Sequence, residues 1–202
     1  MATIKHRFEG VDYIDAAELI LKHKDYVHVK NLYVMMHEWM TENGYGSRKD
    51  QDYPEILYYQ KEHPKAGKEI WVWWRTEKPG YGGNKFLNYR FDVDMHAVGV
   101  RDAEVVHHGK KFKTNWGEPE IKIWAKLEID PGKKWRNHWL MKSFYVFFKE
   151  RLYKNEIEQH RIMLYRDALR LHDAIKRYLK MKTYIPEDEL HGWLTEKGLG
   201  EP

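Results

Sequence analysis

The stretch FLNYRFDVDMHAV, from Phe86 to Val98, alternates without a break. Tyr89, Phe91, Val93, Met95 and Ala97 fall on one side of an extended chain, and Arg90, Asp92, Asp94 and His96 on the other. A period of two is what a β-strand with one buried face requires. The stretch from Glu120 to Asp130 repeats the pattern, with Ile121, Ile123, Ala125, Leu127 and Ile129 facing one way and Lys122, Trp124, Lys126 and Glu128 the other. Two such strands specify a sheet with one covered face, and hairpin-length connections around them make it antiparallel.

Working outward, Glu55 to Lys61 and Glu69 to Thr76 read as strands joined by a turn that Pro64 and Gly67 punctuate. A break over Lys78 to Asn84 precedes the central strand, and Glu104 to His107 with Lys111 to Thr114 predicts a hairpin about Gly109. Upstream, Asp15 followed by Glu18 has capping-box spacing and predicts a short helix from Ala16 to Lys24, with Ile20 and Leu21 on its apolar side. A second helix starts near His28 and lines up Val29, Leu32, Tyr33, Met36, Trp39 and Met40 before Asn43 and Gly44 stop it. Tyr45 to Asp52 then reads as an exposed loop.

Downstream, Pro131 and Gly132 end the sheet, and Asn137 is placed to cap a helix reaching Tyr153. Its apolar residues wrap most of the circumference, which predicts burial. The last helix carries Ile157, Leu164, Ala168, Leu171, Ile175 and Tyr178 at four-and-three spacing, interrupted at Arg161, and Pro186 lies beyond it. One more turn is expected around Leu190, Trp193 and Leu194. The predicted class is α+β: an antiparallel meander of four to five strands, one face covered by helices, with an N-terminal helix pair and two C-terminal helices. Residues 1–135 form the α+β core and 136–202 the helices that pack on the sheet and extend from it, within a single domain.

The chain has 202 residues, of which 42% are hydrophobic, and nine Trp, fourteen Tyr and seven Phe. Rings that each bury roughly 150–250 Å² argue for a packed core despite a mean hydropathy of −0.82. There is no cysteine, which excludes disulfides, thiolate nucleophiles and cysteine-ligated metals. Charged residues crowd the first twenty positions, so no secretory leader is expected and the cytoplasm is the predicted location. The most lipid-like run, Trp139 to Phe148, is interrupted by Lys142 and falls short of the roughly 20 residues a membrane span needs.

Three groups of residues could carry function. Asp92, Asp94 and His96 project from one face of one strand and could present two carboxylates and an imidazole to a divalent metal, with Glu104, His107 and His108 as helpers; the ordinary alternative is a solvated face paired to Lys122, Lys126 or Arg101. Glu156, His160 and Asp167 have helical spacing that metal ligands also use, though local electrostatics accounts for it as well. Trp71, Trp73 and Trp124 share one face and would form a stacking surface if uncovered. No P-loop, dinucleotide fingerprint or zinc-protease motif occurs. Gly80, Gly82 and Gly83 read as a turn.

Charge is the strongest clue. From Lys133 to Lys182 there are fourteen Lys or Arg against five Asp or Glu, in a chain whose formal net charge is only +4. Lys133, Lys134, Arg136, Arg161, Arg166, Arg170, Arg177 and Lys180 are the expected contacts to an anionic partner. The expectation is a non-enzymatic binding or assembly module without a cofactor, with RNA or a ribonucleoprotein as the first partner to test. The alternatives are a metal-dependent hydrolase using Asp92, Asp94 and His96, a winged-helix DNA-binding protein reading with His28 to Asn43, and a purely structural homo-oligomer. The seam on the last helix predicts either a homodimer or intramolecular packing on the preceding helix.

Overall fold

A computed structural model describes residues 12–47, 49–107 and 110–181. The order is β1 (Asp12–Lys22), β2 (Asp25–Tyr26), α1 (Val29–Glu42), β3 (Glu55–His63), β4 (Gly67–Gly80), β5 (Asn84–His107), β6 (Lys110–Ile129), α2 (Lys134–Asn137), α3 (Met141–Phe147) and α4 (Lys154–Tyr178), with a π turn over Phe148–Leu152 between the last two. The architecture is α+β. All pairings are antiparallel, the sheet order is β1-β6-β5-β4-β3, and β2 pairs β6 beyond the end of β1.

The two alternating stretches are neighbours in register, with Phe91 opposite Ala125, Val93 opposite Ile123 and Met95 opposite Ile121. All six are buried. Both strands run longer than their clean alternation. β5 continues past a bulge at Gly99 into the long hairpin with β6, whose tip, with His108 and Gly109, lies outside the described residues. Gly67, at φ +88°, closes the β3–β4 hairpin where a Cβ would meet the Val100 carbonyl oxygen at 2.7 Å.

The first predicted helix is a strand. Asp12–Lys22 pairs along β6, and Ile14, Ala17, Leu19 and Leu21 face the core while Asp15, Glu18, Ile20 and Lys22 face out. A bulge between Asp15 and Ala17 shifts the phase and places both Ala16 and Ala17 in buried positions. That slip disguises the period of two. The free edge of β6, which pairs the backbone groups along the facing side of the strand, outweighs the local capping-box signal. The expected helix pair is therefore one strand and one helix.

α1 forms as its pattern predicts. His28 caps it by accepting from the Asn31 N–H at 3.2 Å, and Gly44, at φ +77°, follows its stop. Beyond that stop Tyr45 is not exposed as expected: its ring packs edge-on to Phe91 at 4.4 Å and its hydroxyl donates to Asp167 at 2.7 Å.

α4 buries Ile157, Leu164, Ala168, Leu171 and Ile175 against β1, β6 and α1, in the same core as the sheet's inner face. The apolar stripe is the predicted one, but its partner is neither a second copy nor the preceding helix. Of the helix expected from Asn137 to Tyr153, Asn137 ends α2 instead of capping, the helical run is α3 with the π turn that follows it, and most of its apolar residues are exposed rather than buried. The expected turn at Leu190 to Leu194 lies outside the described residues. Among the described residues no helix is long and apolar enough to cross a membrane.

Candidate docking surface

The segment 134–152 is hung on the sheet from two points. Asp130, in the left-handed region at φ +53°, caps α2 by accepting from the Trp135 N–H at 3.1 Å and the Arg136 N–H at 3.0 Å. Asp12, at the start of β1, pairs with Arg136, accepts from the Tyr145 hydroxyl at 3.0 Å and from Lys149 Nζ at 3.4 Å. Burial opposes ionisation of Asp12. The Tyr145 hydrogen bond and the charges of Lys149 and Arg136 outweigh it and hold the carboxyl below its usual range. The apolar anchor is Phe86, whose ring meets Trp135 at 5.3 Å, Phe148 at 5.7 Å and Tyr153 at 5.2 Å, each centroid to centroid.

These anchors use only one side of the segment. Tyr145 is buried and Phe148 half-buried, whereas Leu140, Phe144 and Phe147, four and three residues apart, share the outward side of α3. Trp139, Leu140, Phe144, Val146, Phe147 and Leu152 are 47 to 82% exposed. Scattered exposed apolar residues are ordinary, but six within fourteen positions form a patch that marks a contact surface. Lys134, Lys142, Arg151 and Lys154, within or flanking the same run of sequence, are exposed. No Asp or Glu occurs between Asp130 and Glu150.

The basic residues singled out from sequence divide between two places. Lys133 and Arg136 are half-buried and Lys134 exposed beside the patch, with Arg136 engaged by Asp12. On α4, Arg166 and Arg170 are exposed while Arg161 and Arg177 are half-buried, and Lys180, just beyond the helix, is exposed. Arg161 is paired with Glu158, and Arg170 lies 3.8 Å from Asp167.

Asp92, Asp94 and His96 do share the outer face of β5, but each is turned to a neighbour within the sheet. Asp92 is 6% exposed and accepts from Lys126 Nζ at 3.0 Å, with Arg75 Nε at 3.8 Å. Asp94 is paired with Arg75 at 2.5 Å. His96 sits 2.8 Å from Glu69 and stacks on Trp71. Glu104 faces Lys113 on the far side of the bulge. Among the described residues no three His, Asp or Glu side chains are grouped as metal ligands.

In the helical trio, His160 Nδ1 meets the Tyr89 hydroxyl at 2.7 Å, and Glu156 is 4.0 Å from its other nitrogen. Asp167 instead accepts from Tyr45 and, at 3.1 Å, from Lys78, whose Nζ lies 3.9 Å from the Tyr45 ring centroid.

Trp71, Trp73 and Trp124 are half-buried on the outer face. β5 lies between their strands, and in register Trp73 faces Asp94 and Trp124 faces Asp92. Acids and their cations thus separate the indoles into β4 and β6 rows, with Tyr59 extending the first at 5.3 Å from Trp71. α4 lies on the opposite, inner side of the sheet, where Tyr89 meets His160. The indoles and the basic residues of α4 therefore lie on opposite sides of the sheet.

Sequence reasoning missed the α3 patch because a helix that is apolar around its whole circumference reads as buried. Lys142 and the cations flanking the run, with no acid between them, were the available signal. No protein-family model matches the chain, and no curated protein matches it in sequence.

Proposed function

We propose that this chain is a non-enzymatic docking module that engages an anionic partner through its helical end, residues 133–154. One observation carries the reading: the exposed apolar residues from Trp139 to Leu152 share their segment with exposed Lys134, Lys142, Arg151 and Lys154, and no acid occurs between Asp130 and Glu150. Cations at the rim steer an anionic partner in, and the desolvated centre holds it. The indole rows of the sheet contribute less, since Asp92, Asp94 and Glu69 lie among them.

The test is retention on an immobilised polyanion as salt rises. Lys134→Glu with Lys142→Glu should lose retention at much lower salt than the wild type, and Arg166→Glu with Arg170→Glu should lose less. Equal retention of the wild type and the Lys134/Lys142 variant would overturn the reading.

A further inference from the structure

Resting on that reading, we infer that the anionic partner is a phospholipid bilayer, with α3 lying in the headgroup layer and Leu140, Phe144 and Phe147 directed into the acyl region. The chemistry of the patch favours lipid over nucleic acid. Leu140, Val146 and Leu152 are aliphatic and offer nothing to stack on a base or to donate to a phosphate, whereas acyl chains accept them directly. Trp139, the most exposed of the six at 82%, is the residue type that settles at the boundary between headgroups and acyl chains. Lys134, Lys142 and Lys154 combine long apolar stems with terminal charges, so they can lie along the patch while their ammonium groups reach lipid phosphates.

Geometry sets the mode. The helical run 141–152 is about 18 Å long at 1.5 Å per residue, too short to span a bilayer and suited to lying on one. Its attachment through Phe86 and Asp12 faces the sheet, so insertion of the outward side breaks none of those contacts. On a neutral surface the apolar patch alone would bind weakly; the cationic rim adds the attraction that anionic lipid supplies.

Because the chain has no cysteine, a fluorophore can be placed at single sites. Phe147→Cys labelled with an environment-sensitive dye should shift to the blue on vesicles of phosphatidylcholine with phosphatidylglycerol, while a label at Val106→Cys, exposed on the β5–β6 hairpin at the end of β5 away from Phe86, should not. Co-sedimentation should be about tenfold or more stronger with these vesicles than with phosphatidylcholine alone. Phe144→Asp with Phe147→Asp should abolish it while the circular dichroism stays unchanged, both sites being exposed. If anionic vesicles fail to bind while the polyanion still retains the protein, the lipid assignment is wrong and the docking function stands; if neither binds, both fall. A dimer in solution that Phe144→Asp with Phe147→Asp dissociates, with no vesicle binding, would give the patch to a second copy and overturn the inference.

Discussion

Asp12 on the first strand accepts a hydrogen bond from the Tyr145 hydroxyl on α3 at 3.0 Å, joining residues 133 positions apart. With Arg136 and Lys149 on the same carboxylate, this contact fastens the helical segment to the sheet edge. Asp12→Ala should leave the sheet folded and raise hydrogen exchange across 134–152 specifically. The folded carboxyl ionises below its ordinary value of 3.8, so the tie is fully present above that pH and is lost as the pH falls through the lower folded value. Unchanged exchange in the variant would show that Phe86 and Asp130 hold the segment without Asp12.

His160 and His172 both ionise below the ordinary 6.5. Burial is the main cause for each; Glu156 partly opposes it at His160, while at His172 the Lys176 charge adds to it and Asp173 opposes it. The unfolded chain takes up these protons first, so stability should be full above pH 6.5 and decline as the pH falls from there through the folded values. His160→Gln should lose about 1 kcal/mol with the Tyr89 bond and flatten part of that slope. Denaturant midpoints measured from pH 8 to 5 test this, and a wild-type midpoint that does not move would contradict it.

Leu171 has no exposed surface and sits where α4 meets the core. Leu171→Asp should unfold the chain rather than release a monomer, because an unpaired carboxylate would be buried there, at a penalty beyond about 4 kcal/mol. Arg170→Asp, one residue away and exposed, is the control. A folded Leu171→Asp monomer from a dimeric wild type, seen by light scattering, would restore the dimer seam.

Asp92 and Asp94 together neutralise Arg75, and Lys126 closes on Asp92. Changing both acids to Asn should lower stability by about 1–3 kcal/mol by leaving these cations partnered only by amides. The tolerance usual at solvated surface positions does not extend to this pair, because Asp92 is buried. Chelator should leave the wild-type midpoint in place; a fall would point to a metal on these acids.

The sequence by itself determined the meander and α1. The alternation through Phe86 to Val98 and Glu120 to Asp130, and the four-and-three spacing of Val29, Leu32, Met36 and Met40, are periods that any chain segment carries in its own order of residues. The buried stripe of α4 was legible for the same reason. Which surface would cover it was not, since β1, its main partner, itself carries helix-like signals. Tertiary structure decided that Asp12–Lys22 is a strand, because only the free edge of β6 supplies its hydrogen bonds and only the bulge at Ala16 restores its inward face. Tertiary structure also decided that Tyr45 turns inward to Asp167 and that Phe144 and Phe147 turn outward. Burial of a ring depends on what arrives opposite it from elsewhere in the chain, and no local period encodes that.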